Sequence, residues 1–208
     1  YIQYGKYKNK ECPKQAAALQ KAQEALADYH QRHPLRGGMR REELRKACFP
    51  GQAEEDADLA LDALVAKGDL ALSGKAFAMP GFEITLSAKQ QALHDEVIKR
   101  FQSAGFSPPE KAALQAEYAN EKEFTRVQEY LLDKGDLVTV SPEISFLRAD
   151  LGEALERFTR LHADKGAVSL ADFRDALNTS RKYALSILEY WDRRGIARMS
   201  GDARVLAR

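Results

Sequence analysis

The residues best suited to chemistry in this chain are the run Asn178-Thr179-Ser180-Arg181-Lys182-Tyr183, which opens an apolar helical pattern. Thr179 or Ser180 is placed to cap that helix, and a helix start aims free backbone N–H groups outward. Arg181 and Lys182 set two positive charges beside those groups. Cations at a helix N-terminus oppose the dipole, so an anionic ligand such as phosphate explains them better than stability does. Arg198 and Arg204 add charge on either side of a Ser200-Gly201-Asp202 turn. A solvated basic face is the alternative reading of the same residues.

Other chemistry has little to stand on. The sequence holds no G-x-x-x-x-G-K-[ST], G-x-G-x-x-G, G-x-S-x-G or H-E-x-x-H motif. His30, His33, His94 and His162 are scattered through helical patterns and read as structural or exposed. The two cysteines, Cys12 and Cys48, form no Cys-x-x-Cys, so no metal site is expected. Glu54, Glu55, Asp56 and Asp58 form an acidic helix start that the macrodipole favours. The expected function is binding, with no catalytic residue, no metal and no cofactor in this chain.

Composition sets the frame. The 208 residues carry 32 Lys+Arg against 31 Asp+Glu, with 44% hydrophobic residues, which excludes a disordered chain. No apolar run approaches the roughly 20 residues of a membrane helix, and the polar N-terminus is unlike a secretory signal. A cytoplasmic protein is expected. The near-zero net charge hides an asymmetry that matters for partners. Residues 84–147 hold seven Lys/Arg and ten Asp/Glu, whereas residues 165–208 hold nine and five. A smaller basic excess, Lys6, Lys8, Lys10 and Lys14 against Glu11, marks the first residues.

The elements that must position these charges repeat. Lys67-Gly68-Asp69-Leu70 recurs as Lys134-Gly135-Asp136-Leu137, and Arg193-Arg194-Gly195-Ile196 takes the equivalent place a third time. Before each lies a helical face: Ala57, Leu61, Leu64 and Val65; Phe124, Val127 and Leu131; Ala184, Ile187, Leu188 and Trp191. Each glycine stands where a left-handed C-cap is wanted. After it come two short strand patterns joined by Ser-Gly, Ser-Pro and Ser-Gly-Asp turns. Two further helical patterns precede each third helix. In the last repeat these are Leu151, Leu155, Phe158 and Leu161, then Leu170, Phe173 and Leu177, the second opened by Ser169 and Asp172.

Three helices and a two-stranded hairpin make a winged helix, a helix-turn-helix variant. The expected fold is mainly α with small β-wings, in three tandem modules at residues 14–83, 84–147 and 148–208, after a leader or tail of a preceding module at 1–13. Junctions fall near Pro80-Gly81 and Arg148 without long linkers, which predicts a fairly rigid array. The third helices of the first two modules begin with Glu54-Glu55-Asp56 and Asn120-Glu121-Lys122-Glu123. Such acidic starts repel a nucleic-acid backbone and suit spacing or protein contact.

The stretch Asp172-Phe173-Arg174-Asp175-Ala176-Leu177, followed by Ser180-Arg181-Lys182-Tyr183-Ala184-Leu185-Ser186-Ile187-Leu188-Glu189-Tyr190-Trp191-Asp192-Arg193-Arg194-Gly195, resembles the final winged helix of the SelB family. These are bacterial selenocysteine-specific translation elongation factors. His33-Pro34-Leu35-Arg36-Gly37-Gly38-Met39-Arg40-Arg41-Glu42-Glu43-Leu44 is similar to another segment of the same C-terminal region. The middle module matches in pattern more than in wording. Asn178-Thr179 replaces a usual glycine, and Trp191 a common Phe.

The resemblance implies recognition of the selenocysteine insertion (SECIS) hairpin in messenger RNA, so that selenocysteinyl-tRNA is delivered at UGA on the ribosome. It places the RNA contacts on Thr179, Ser180, Arg181 and Lys182 and on Arg198, Gly201 and Arg204 in the wing, with Arg174 in support. It assigns GTP, Mg and the tRNA to an N-terminal GTPase part that this sequence lacks, so the chain reads as a fragment acting as a monomer. Two alternatives remain at this level: a DNA-binding winged-helix regulator, and a protein-bridging array of winged-helix spacers.

Overall fold

The computed structural model describes residues 13–207. Lys6, Lys8, Lys10, Glu11 and Cys12 lie outside the described residues, as does the expected leader apart from Pro13. The chain divides into two compact units, with the division between Thr85 and Leu86.

The first unit orders α1 (Pro13–Arg32), β1 (Met39–Arg40), α2 (Arg41–Cys48), α3 (Glu54–Ala66), β2 (Ala71–Ser73) and β3 (Ala76–Ala78). The strands form an antiparallel sheet in the order β1-β3-β2. The apolar faces read from the sequence meet here: Leu26, Leu44, Ala57, Leu61 and Phe77 are fully buried in one cluster. Gly68 turns the chain out of α3 at φ +79°, a conformation open to glycine without steric cost. Cys48 is buried as a free thiol.

The second unit contains two repeats. One consists of α4 (Ala88–Ala104), α5 (Lys111–Glu117), α6 (Phe124–Lys134), β4 (Leu137–Ser141) and β5 (Ile144–Leu147). The other runs through α7 (Arg148–Lys165), β6 (Val168–Ser169), α8 (Leu170–Leu177), α9 (Arg181–Arg194), β7 (Ala197–Ser200) and β8 (Ala203–Leu206). Leu147 ends β5 and is the N-cap residue of α7, so no linker separates the repeats. Val140, Ile144 and Phe146 of the β4-β5 hairpin belong to one core cluster with Phe158, Phe173 and Trp191. Those three rings pack at centroid distances of 5.6, 5.5 and 5.4 Å. Burying each such side chain contributes about 1.5 to 3 kcal/mol or more, which makes the second repeat's wing part of the third repeat's core.

Some local features differ from the sequence patterns. The first and third wings gain a third short strand, β1 pairing β3 and β6 pairing β8. The middle repeat has prolines at 108 and 109 ahead of α5, where they offer no N–H, and a single Lys111 N–H to Glu143 carbonyl bond at 2.9 Å stands in for the strand. Asn120 to Glu123 form tight turns leading into α6, which begins at Phe124 with Glu123 as its N-cap residue. Ser169 accepts from the Asp172 N–H at 3.1 Å and opens α8 as expected.

Candidate nucleic-acid interface

Helix α9 starts from an unusual approach. Asn178 ends α8 in the left-handed region at φ 50°, among the described residues the only non-glycine with positive φ, and the Thr179 N–H returns to the Arg174 carbonyl at 3.2 Å. Asn tolerates that conformation better than most residues, which is how this sequence turns where glycine is the common choice. Ser180 then occupies the N-cap position with extended backbone, but its hydroxyl makes no bond to the helix. The expected side-chain cap is therefore absent. Ser180 thus leaves the first-turn N–H groups of α9, at the positive end of the dipole, without a cap from its side chain.

The preceding repeat claims several of the predicted contacts. The Thr179 hydroxyl donates to the Phe106 carbonyl at 2.6 Å, so it accepts the proton of the Ser107 hydroxyl 2.9 Å away. The Tyr183 hydroxyl donates to the Pro108 carbonyl at 3.0 Å, and Lys182 Nζ lies 2.5 Å from Glu110 Oε1. That carboxylate raises the pKa of the Lys182 ammonium. Thr179 is thus a packing contact between repeats, and Lys182 is a paired cation. Arg174 is paired too, with Nη2 2.6 Å from Asp175 Oδ1.

In the wing, β8 is the central strand between β6 and β7. Arg198 pairs with Val205, while Arg204 pairs with Met199 on one side and Val168 on the other. Successive residues of a strand face opposite sides, so Arg198 and Arg204 cannot share a surface. Arg198 is exposed, whereas Arg204 is only 8% exposed and donates to Asp192 Oδ2 through Nε and Nη2, each at 2.9 Å. Arg204 is therefore an inward-facing, paired cation. Gly201 is the exposed tip at φ +61°. Of the predicted cations, Arg181 and Arg198 are the two that are exposed and in no ion pair among the described residues.

The third helices of the other repeats present different surfaces. In α3, part of the acidic face is paired by α2: Arg45 lies 2.9 Å from Glu54 and 3.4 Å from Asp58, and Arg41 lies 2.6 Å from Asp62, while Glu55 and Asp56 are exposed. Leu59 stands 76% exposed on the same helix. Ahead of α6, Glu121 pairs with Lys89 and Glu123 with Arg126, each at 3.1 Å. No His/Cys/Asp/Glu group among the described residues is arranged to hold a metal ion, and no described helix is long and apolar enough to cross a membrane.

Asp192 and Glu110 are the site-shaping residues that sequence reasoning missed, and Tyr183, part of the run singled out there, takes a bond to Pro108 that it did not foresee. The strand parity of Arg198 and Arg204 signals that one of them faces inward, but nothing local announces its partner.

Three helix-hairpin repeats, with exposed cationic groups on the last, define a tandem winged-helix protein. Two family models, both described as elongation factor SelB, winged helix, match residues 23–79 and 160–206, together half of the chain. The chain belongs to the SelB winged-helix family. It is 29% identical over 182 residues to a selenocysteine-specific elongation factor of Desulfomicrobium baculatum, covering 87% of this chain and 29% of the relative. It is 28% identical to that of Escherichia coli over 207 residues, covering 99% of this chain and 33% of the relative. The chain thus spans about a third of the length of these curated relatives. Among solved structures it is similar to a bacterial selenocysteine-specific elongation factor, EF-Sec, at TM-score 0.50 and 13% identity, covering 91% of this chain and 30% of that one. The mRNA-binding domain of E. coli SelB in complex with SECIS RNA matches at TM-score 0.46 and 25% identity, covering 59% of this chain and all of that one.

Proposed function

We propose that this chain is the messenger-binding part of a selenocysteine-specific elongation factor, gripping the SECIS hairpin through its last winged helix. The observation that carries the reading is the uncapped start of α9 beside the unpaired Arg181, with unpaired Arg198 on the outward face of the wing. Open N–H groups and two free guanidinium groups suit phosphates and exposed bases. The deep, narrow major groove of A-form RNA excludes a helix, so the helix start and wing meet loop or bulge bases edge-on. The chain acts by binding, as a monomer in the cytoplasm, and catalyses nothing itself. GTP, Mg, selenocysteinyl-tRNA and the ribosome engage other parts of the whole factor or act with it during translation.

A DNA-reading regulator fits less well, because it needs basic third helices and half-site symmetry. The still acidic start of α3 and the acidic approach to α6 suit spacers or protein contacts instead. Fluorescence anisotropy against a SECIS hairpin, a scrambled hairpin and duplex DNA over a salt series tests the reading. Tight, hairpin-selective binding with a modest salt slope supports it; weak binding equal for all three, collapsing with salt, overturns it.

A further inference from the structure

Resting on the hairpin-binding reading, we propose that Asp192 and Arg204 are a positioning pair that sets the wing against helix α9, and that Arg204 makes no RNA contact. Asp192 lies in the last turn of α9, just before Gly195 reverses the chain at φ +67°. The reversal is tied by the Gly195 N–H to the Asp192 carbonyl at 3.2 Å and the Ile196 N–H to the Trp191 carbonyl at 2.9 Å. Strand β7 then leaves, the tip turns at Gly201, and β8 brings Arg204 back to the Asp192 carboxylate. The pair closes a loop from helix end to wing and back.

Its burial argues for this role. The Arg204 and Asp192 side chains are 10% and 26% exposed, and Asp192 Oδ1 is buried without a hydrogen-bond partner. The carboxylate has given up water on that side and rests on Arg204. A buried pair gains little net stability over apolar residues of the same size, but breaking it leaves an uncompensated charge. What the pair adds is geometry: one fork, on the central strand, holding one helix end. Because Arg204 faces inward, Arg198 faces outward, and the distance from Arg198 to the start of α9 depends on how β7 and β8 are held.

The test compares the full chain with Asp192→Asn, Arg204→Met, Arg204→Lys and Arg198→Ala in binding a SECIS hairpin RNA across a salt series, with folding checked by circular dichroism. Amide hydrogen exchange in residues 198–203 is followed without RNA. Asp192→Asn removes a negative charge, which by itself tightens binding to a polyanion; the positioning role instead weakens it roughly tenfold. Arg204→Met weakens binding with an unchanged salt slope, and Arg204→Lys recovers part of the loss. Arg198→Ala lowers the slope by about one.

Tighter or unchanged binding by folded Asp192→Asn overturns the proposal. So does a drop of about one in the slope for Arg204→Met, which marks a phosphate contact. If wild type shows no hairpin preference, the functional reading fails, and the exchange measurement still decides the pair: wing amides that exchange no faster in Asp192→Asn refute it. Should Arg204→Met fail to fold, Arg204→Gln supplies the slope, and Asp192→Asn still tests the positioning role.

Discussion

The Tyr183 hydroxyl donates to the carbonyl of Pro108 at 3.0 Å, across 75 positions of sequence, and so fastens the first turn of α9 to the segment that leads into α5. The same turn offers Arg181 to solvent and commits Lys182 to Glu110. One helix start is therefore divided: Lys182 and Tyr183 join repeats, and Arg181 stays exposed.

Those two cations should respond unequally to removal. Arg181→Ala weakens hairpin binding by about 1 to 3 kcal/mol, the cost of a good charge-assisted contact. Lys182→Ala weakens it less, because its charge is already engaged by Glu110. Equal losses in parallel anisotropy titrations would show that RNA displaces Glu110 and would refute the unequal roles.

Tyr183→Phe removes the bond to Pro108 and leaves a carbonyl without its donor. A loss of about 1 kcal/mol in the stability of the second unit is expected. Urea unfolding followed by the fluorescence of Trp191, the sole tryptophan, reads it, since that ring is packed between Phe158 and Phe173 in the core of this unit.

Gly38 has φ +153°, and a Cβ built there would lie 2.0 Å from the Phe77 carbonyl oxygen. Backbone meets backbone at this point, where β1 approaches β3, so no side-chain rotation relieves the clash. Gly38→Ala costs about 3 kcal/mol or more in the first unit, read as a lowered Tm. An unchanged Tm would mean that the loop ahead of β1 re-forms freely.

His30 makes stability depend on pH. Its Nε2 accepts from the Met79 N–H at 3.3 Å, its ring stacks on Phe82 at 3.5 Å, and Nδ1 is buried without a partner. Burial holds its pKa below the ordinary 6.5. Between the folded and unfolded pKa the unfolded chain binds more protons, so stability rises with pH there and falls as pH drops below about 6.5. His30→Gln keeps an acceptor without a proton to gain, and its Tm between pH 5 and 7 changes less than that of wild type. Parallel Tm profiles would remove His30 as the cause.

Periodicity and glycine placement made most of the architecture legible. The faces Ala57-Leu61-Leu64, Phe124-Val127-Leu131 and Ala184-Ile187-Leu188-Trp191 are buried as their spacing required, with Val65 of the first face half-buried, and Gly68, Gly135 and Gly195 all have positive φ. These are local matters: a 3.6-residue period selects one helical face, and a chain reversing after a helix wants a residue without a Cβ. The third strands β1 and β6, two residues each, left no pattern long enough to read.

The candidate interface divides the same way. Residue types and order placed positive charge at the start of α9 and on the wing, because helix start, helix end and hairpin turn are each written in neighbouring residues. Which of those charges are free was decided by partners far along the chain or behind the sheet: Phe106 and Ser107 for Thr179, Glu110 for Lys182, Asp192 for Arg204. Such pairings depend on how one repeat packs on the next and which face of a strand turns inward. Local spacing fixes the elements, but only the packed core brings Glu110 to Lys182 and leaves Arg181 to the solvent.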